Sequence, residues 1–186
     1  MQTWAFEFED QPYFDGFRTL ATNGIDKPVL NVFRMLGLMQ GRRVATDNNH
    51  RVQLSTMLTD GVREPDVDAL AVAQDHEVSV LTWNYCDDDV SGPIAKVRLA
   101  IAGLPDGTKR VLLRNYRIDE GHSNSWAVWK RMGSTQSPSP EQYATLEAAG
   151  QLQQNDSPQW ISLRNGEANV DLSLPRQSIS LLQLSW

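Results

Sequence analysis

The first 41 residues predict one strand, one loop and one helix, a unit that cannot fold by itself. Residues 3–8 alternate, with Trp4, Phe6 and Phe8 on one face and Ala5, Glu7 and Glu9 on the other, which is typical of a strand. Residues 26–39, DKPVLNVFRMLGLM, predict a helix. A lone strand leaves hydrogen-bonding groups unpaired along both edges, and even a free two-stranded hairpin is only marginally stable. The unit therefore needs neighbours, either the strands downstream or earlier units of a larger α/β structure.

The predicted helix has a start signal, a stop signal and an apolar face. Asp26 is a suitable N-cap, and Pro28 falls in the first turn, where its missing N–H is not needed. Gly41 suits the end of the helix. Spacing at i, i+4 and i+7 predicts that the buried face consists of Val29, Phe33 and Leu36, with Leu30 alongside.

From about residue 42 onward, the chain is rich in short strand patterns. Runs at 67–73 and 77–85 are followed by 95–101 and 110–118, and the turn Leu104–Gly107 predicts that the last two are partner strands. Asn165-Gly166 predicts a hairpin, and residues 178–186 a final strand. One helix interrupts them, with Ser139 as N-cap and Gln142 completing a capping box. Many short strands separated by turns favour a β-sandwich or a barrel.

Charge and composition limit the partners of the chain. The net charge of −6 and the pI near 5.0 argue against nucleic acid and anionic membranes, which need a basic surface. Cys86 is the single cysteine, so no internal disulfide can form. No apolar run is long enough for a membrane span, so we expect a soluble protein. The sequence does not decide its compartment, which is either the cytoplasm or a periplasmic or secreted location reached by a signal sequence lost upstream.

Three separated blocks carry a resemblance to a known family. Residues 3–39 resemble the eighth strand and eighth helix of the catalytic barrel in glycoside hydrolase family 39, the β-xylosidases and α-L-iduronidases. Residues 122–153 and 174–184 are similar to the accessory β-sandwich that follows the barrel in bacterial β-xylosidases. The resemblance implies a mainly β chain: residues 1–41 as the last β/α unit of a (β/α)8 TIM barrel, and residues 42–186 as a β-sandwich accessory domain.

The resemblance also implies the chemistry. Such enzymes release xylose from non-reducing ends of β-1,4-linked xylo-oligosaccharides with retention, using two carboxyl groups about 5–5.5 Å apart. In the family, the acid/base glutamate follows strand four and the nucleophile ends strand seven. We therefore expect both catalytic residues upstream of this segment and none within it, with the missing N-terminal barrel portion as its partner. No cofactor is expected, and a homo-oligomer remains open.

Three residues match substrate-binding positions of the family. Trp4 corresponds to the strand-eight tryptophan that lies against the innermost sugar, although a core aromatic is the alternative. Glu9 and Asp10 fall, with a one-residue gap, near the acidic pair that binds xylose hydroxyls, and a solvated loop edge is the alternative. Glu7 and Glu9 are a poor catalytic pair, because both would approach the sugar from one side, whereas the mechanism needs carboxyl groups flanking the bond.

Other side chains favour structural roles. His50, His76 and His122 lack metal-ligand spacing, and a solvated turn explains the acidic run at 87–89 better than calcium does. Trp126 and Trp129 are either packing residues or a sugar platform. The alternative function is accordingly a stand-alone β-sandwich module for carbohydrate binding or oligomerisation.

Overall fold

The computed structural model describes residues 11–16, 19–88 and 90–186, so the strand predicted over residues 3–8 lies outside the described part. The strands, in chain order, are β1 (Ala21–Thr22), β2 (Ile25–Asp26), β3 (Arg42–Val44), β4 (Asp66–Gln74), β5 (Glu77–Tyr85), β6 (Ala95–Ile101), β7 (Arg110–Ile118), β8 (Gln153–Gln154), β9 (Gln159–Ser162), β10 (Ala168–Leu174) and β11 (Ser178–Ser185). The helices are α1 (Pro28–Leu38), α2 (Leu54–Asp60), α3 (Ser125–Arg131) and α4 (Pro140–Gly150). Within these ranges no helix is both long and apolar enough to cross a membrane.

The chain divides into two compact units. One unit combines Met1–Leu38 with Arg117–Gln153, and the other combines Met39–Tyr116 with Gln154–Trp186. The helices α3 and α4, which the sequence assigns to the sandwich domain, thus belong to the same unit as α1. The assignment of residues 1–41 to a barrel stays a prediction.

In the first unit, a two-residue turn at Asn23-Gly24 joins β1 to β2. Both turn residues have positive φ, the combination that suits a tight hairpin. Helix α4 packs beside this hairpin, and the Tyr143 hydroxyl donates a hydrogen bond to the Asn23 carbonyl at 3.0 Å. The predicted capping box of α4 is present, with Ser139 and Gln142 bonded reciprocally.

Helix α1 differs from its prediction in cap and face. Its first residue is Pro28, so Lys27 occupies the N-cap position and Asp26 ends β2 instead. The fully buried side chains are Asn31 and Met35, whereas Val29 is 43% exposed. Of the predicted face, Leu30, Phe33 and Leu36 are partly buried. Asn31, a polar residue, is buried in addition because its amide donates to the main-chain carbonyls of Ser123 and Gly150.

The second unit is a β-sandwich, which confirms the predicted mainly β fold. A seven-stranded sheet has the order β3-β4-β5-β11-β7-β8, with β9 also paired to β7. A two-stranded sheet, β10-β6, supplies the other layer. Apolar side chains of both sheets form one core, including Val80, Ile101, Val111, Leu172 and Leu182. Burial alternates residue by residue along β6 and β10, as their period-two patterns require.

Two predicted strand pairings are wrong. The strands β6 and β7 do not pair across the Leu104–Gly107 turn, since β6 joins β10 and β7 joins the larger sheet. The turn at Asn165-Gly166 is closed by a bridge between Arg164 and Glu167, but β9 and β10 then diverge into different sheets. In both places a local turn marks a crossing between the layers of the sandwich.

Candidate functional site

The predicted substrate-binding residues Trp4, Glu9 and Asp10 lie outside the described residues and stay predictions. The chain that follows Asp10 is described from Gln11, and it forms a loop in the first unit. A turn closes this loop, with the Asp15 N–H donating to the Pro12 carbonyl at 3.1 Å. This loop directly follows the predicted substrate-binding residues in the chain.

Lys27 holds the loop to the start of α1. Its ammonium donates to the carbonyls of Asp15 (2.9 Å) and Gly16 (3.4 Å) and to the hydroxyl of Thr19. Partial burial lowers the pKa of Lys27 from its usual value, and the Asp15 carboxylate opposes that shift. Since an ammonium has three donor hydrogens, all of its capacity is used within the loop. A cation at a helix N-terminus is electrostatically unfavourable. The position of Lys27 just before Pro28 is therefore the sequence signal that marks it as unusual.

The segment between α3 and α4 braces the same loop from the other side. The Phe14 and Trp129 rings lie 4.9 Å apart, and the Trp129 indole N–H donates to the Thr135 carbonyl at 2.8 Å. The Gln136 amide accepts from the Tyr13 N–H at 2.6 Å and donates to its carbonyl at 3.3 Å. Of the two alternatives for Trp129, packing residue or sugar platform, the contacts support the packing residue.

The block at residues 122–125, whose role the sequence left open, shapes the start of α3. Asp119 accepts hydrogen bonds from the N–H groups of Gly121 (2.8 Å) and His122 (2.9 Å), and its carboxylate lies 2.9 Å from His122 Nδ1. Asn124 caps α3 by accepting from the Ala127 N–H at 3.0 Å. His122 thus helps to hold the turn before α3, and Asp119, the residue at the centre of this turn, was not singled out in the sequence.

A small hollow of about 230 Å³ opens between these elements. Its lining consists of Phe14, Lys27, Pro28, Val29, Asn124 and Trp126. The Asn124 amide also donates to the Asp119 carbonyl at 3.0 Å, so both polar residues of the lining are engaged within the chain. The available surface is therefore apolar and aromatic, with Trp126 42% exposed. Such a surface can contact the C–H face of one sugar ring, but its polar side chains are committed elsewhere.

In the second unit, Asp87 and Cys86 are hydrogen-bonded to neighbouring groups of the chain. Asp87 accepts from the Val62 N–H at 2.6 Å and from the Tyr85 hydroxyl at 2.8 Å, and these bonds lower the pKa of Asp87. Cys86 is buried, with its thiol donating to the Val62 carbonyl. In the described part of the chain, no group of three or more His, Cys, Asp or Glu side chains could hold a metal ion.

Comparisons with known proteins agree on one family. The family model for "Glycosyl hydrolases family 39" matches residues 4–163. A β-xylosidase of Caldicellulosiruptor saccharolyticus is 25% identical over 168 residues, which cover 90% of this chain and 31% of the relative. The chain thus spans about a third of the length of that relative.

Solved structures share the fold. The GH39 enzyme from Xanthomonas axonopodis pv. citri has a TM-score of 0.74 at 17% identity, over 94% of this chain and 33% of that one. A monomeric β-xylosidase from Caulobacter crescentus CB15 has a TM-score of 0.69 at 19% identity, over 94% and 34%. At these identities the likeness shows the fold alone.

Proposed function

Because the chain belongs to glycosyl hydrolase family 39, we propose that it is the C-terminal part of a retaining β-xylosidase-like enzyme. The whole enzyme would release xylose from the non-reducing ends of β-1,4-linked xylo-oligosaccharides. The observation that carries this proposal is the family match over residues 4–163, together with a β-xylosidase relative of which the chain covers 31%. The acid/base and nucleophile glutamates belong to the remaining portion of the barrel, which is the partner of this chain.

In this proposal, the first unit contributes one wall of the substrate site. Trp4 stacks on the innermost xylose, and Glu9 and Asp10 accept hydrogen bonds from its hydroxyls. Lys27 and Asn124, the polar residues of the hollow, are already bonded within the chain, so the proposal assigns the hydroxyl contacts of the first unit to Glu9 and Asp10. A carboxylate that accepts from two hydroxyls fixes the ring orientation, and that orientation is what in-line attack on the anomeric carbon requires.

The braced loop gives this wall its rigidity. The contacts of Lys27, Trp129 and Gln136 fix the backbone that directly follows Asp10. A substrate-binding carboxylate works best when the backbone that carries it is held by neighbouring bonds. The helical segment 117–153 is therefore proposed as a support for the active site.

Complementation tests the proposal. A family 39 barrel fragment that stops before its eighth strand is mixed or co-expressed with the 186-residue chain, and hydrolysis of an aryl β-xyloside is measured. The proposal predicts activity only in the mixture, reduced at least tenfold by Glu9→Gln or Asp10→Asn. Glu64→Gln, an exposed carboxylate of the other unit, is the matched control and leaves activity unchanged. A mixture that associates but is inactive, or one indifferent to both site variants, contradicts the proposal.

A further inference from the structure

The two layers of the sandwich differ in size, and the smaller layer leaves part of the larger one uncovered. The smaller sheet consists of β6 and β10, and it faces a sheet of seven strands. The core-facing side chains of β10 are buried along its whole length. Those of β6 are only partly buried at Ala95, Val97 and Leu99. The sandwich is therefore closed along β10 and open along β6.

A cleft follows the open side of β6. It consists of two adjoining hollows of about 700 and about 1040 Å³, and β6 lines both of them. The residues common to the two linings are Asp47, Ala69, Arg98 and Leu99. The opposite side of the cleft is lined by β4, which contributes Ala69, Ala71 and Ala73 at alternate positions. Alanine side chains are small, so this row leaves room for larger side chains between the layers.

The backbone on the open side of β6 lacks a strand partner. In the part of the chain that the structure describes, β6 pairs with β10 and with no other strand. In an antiparallel sheet, alternate residues direct both their N–H and their C=O to the same side of the strand. The free edge of β6 is thus a ladder of donors and acceptors. A further strand at the usual spacing of about 4.8 Å would run along the cleft.

We propose that the free edge of β6 accepts one further β-strand, and that this strand belongs to the portion of the same protein outside these 186 residues. The strand matches the seven residues of β6 (Ala95–Ile101) in length and has large apolar side chains at every second position. These side chains enter the cleft over the alanine row. In such strand addition, main-chain hydrogen bonds supply affinity, and pockets for alternate side chains supply specificity.

The outward row of β6 sets the charge of the added strand. Lys96 and Arg98 are both exposed on this row. Arg98 is paired with Asp171 of β10, whereas Lys96 donates to the Ser173 hydroxyl and has no carboxylate partner among the described residues. Oppositely charged side chains on neighbouring strands attract, and like charges directly opposite each other are destabilising. The solvent-facing positions of the added strand are therefore acidic.

The same basic row disfavours a second copy of the chain as the occupant. Two β6 strands paired with each other would bring lysine and arginine side chains of both copies together, and lysine on an edge strand protects against such pairing. The chain spans about a third of the length of its β-xylosidase relatives. The source of the strand rests on the proposed function, in which this chain is part of a longer protein, and a tethered segment acts at high effective concentration.

Hydrogen exchange on the complementation mixture tests the source. The 186-residue chain is measured alone and together with a family 39 barrel fragment that contains everything before its eighth strand. We expect the amides of β6 to exchange at least tenfold more slowly in the mixture. Those of β5, which is paired on both sides in either state, do not change. An active mixture with unprotected β6 refutes this inference alone, whereas protected β6 in an inactive mixture refutes the proposed function alone.

Synthetic seven-residue peptides test the chemistry on the 186-residue chain. The labelled peptide ELEVELE has three apolar positions between acidic ones, and its binding is measured by fluorescence anisotropy. We expect it to bind at least tenfold more tightly than KLKVKLK, which keeps the apolar positions and reverses the charge. The peptide ELEPELE does not bind, because proline removes a central N–H from the ladder.

Lys96→Glu links the peptide to β6. The side chain of Lys96 is exposed, so the change leaves the core intact, and thermal unfolding confirms that the variant is folded. The variant lowers the affinity for ELEVELE at least tenfold and raises the affinity for KLKVKLK. Lys109→Glu is the matched control, since Lys109 is an exposed residue of the same unit outside the lining of the cleft. It leaves both affinities unchanged.

Four outcomes would overturn the inference. These are unprotected β6 in the mixture, failure of ELEVELE to bind more tightly than KLKVKLK, peptide affinities indifferent to Lys96→Glu, and protection of β6 in the chain alone with a mass that rises with concentration. The last outcome would identify a second copy of the chain as the occupant.

Discussion

The side-chain amide of Asn31 donates a hydrogen bond of 2.8 Å to the main-chain carbonyl of Gly150. The same amide donates to the Ser123 carbonyl at 3.1 Å, and Asn31 is fully buried. One polar side chain of α1 thus satisfies the end of α4 and the turn before α3. The first unit depends on this link because a buried carbonyl without a donor is costly.

Replacing Asn31 by leucine therefore destabilises the first unit. Leucine has the same branched skeleton of heavy atoms but no donor, so two carbonyls lose their partner, and we expect a loss of about 2–4 kcal/mol in the free energy of unfolding. Denaturant unfolding followed by far-UV circular dichroism measures it. Asn49→Leu, at an exposed position, is the control and should change stability by less than about 0.5 kcal/mol. Equal effects of the two substitutions would refute the role of Asn31.

The two tryptophans of α3 should respond differently to truncation. Trp129 contacts Phe14 and donates to a carbonyl, whereas Trp126 is 42% exposed with Lys130 5.8 Å from its ring. We expect Trp129→Ala to cost about 2–4 kcal/mol and Trp126→Ala less than about 1 kcal/mol. Thermal unfolding of both variants is the measurement. A larger loss for Trp126→Ala would mean that the packing role is assigned to the wrong residue.

Gly41 lies where a side chain cannot fit. Its φ is +102°, and an added Cβ would lie 2.3 Å from the Ala73 carbonyl oxygen of β4. Gly41→Ala is therefore expected to destabilise the sandwich by at least about 2 kcal/mol, since steric overlap adds to backbone strain. Gly107 has a φ of +87° with open space around it, so Gly107→Ala carries only the strain, about 1–2 kcal/mol. Comparable urea midpoints for the two variants would contradict this account.

Asp87 and Tyr85 should shift each other's pKa. The Val62 N–H and the Tyr85 hydroxyl stabilise the Asp87 carboxylate and lower its pKa, while the same hydroxyl bond raises the pKa of Tyr85. With the folded pKa of Asp87 below its ordinary value, its contribution to stability is complete above about pH 4. That contribution is lost as the pH falls through the folded pKa.

Titration monitored by NMR measures both groups. Tyr85→Phe should raise the pKa of Asp87 only in part, because the Val62 hydrogen bond, the larger cause, remains. Asp87→Asn should return the pKa of Tyr85 towards its ordinary value of about 10. If either group titrates unchanged when the other is replaced, the pair is not coupled.

Local signals in the sequence located the turns and most strands correctly. The hairpin of β4 and β5, the capping box of α4, and the alternation of β6 and β10 all follow from patterns within about ten residues. Such local patterns do not determine which of the two sheets a strand joins. The Asn165-Gly166 turn looks the same whether its flanking strands pair or separate, because that choice is made by the core shared between the layers.

The missed elements have a physical explanation as well. Helix α2 is only seven residues long and buries none of them, although Leu54, Met57 and Leu58 share one face, and α3 is equally short. The burial of Asn31 in α1 was not predicted, because its side chain is polar. Its two carbonyl partners lie about a hundred residues away in the chain, beyond the reach of a local pattern. The prediction of Trp4, Glu9 and Asp10 as site residues depends on the family resemblance. The hydrogen bonds that hold the loop after them were not predicted.

The most direct test of the account is the activity of the 186-residue chain alone. Purified chain is incubated with an aryl β-xyloside, and release of the aryl group is followed against a blank without protein. The account predicts no turnover above the blank, because both bond-breaking carboxyl groups are expected in the complementary barrel portion. Turnover by the chain alone that disappears in Glu9→Gln would contradict it.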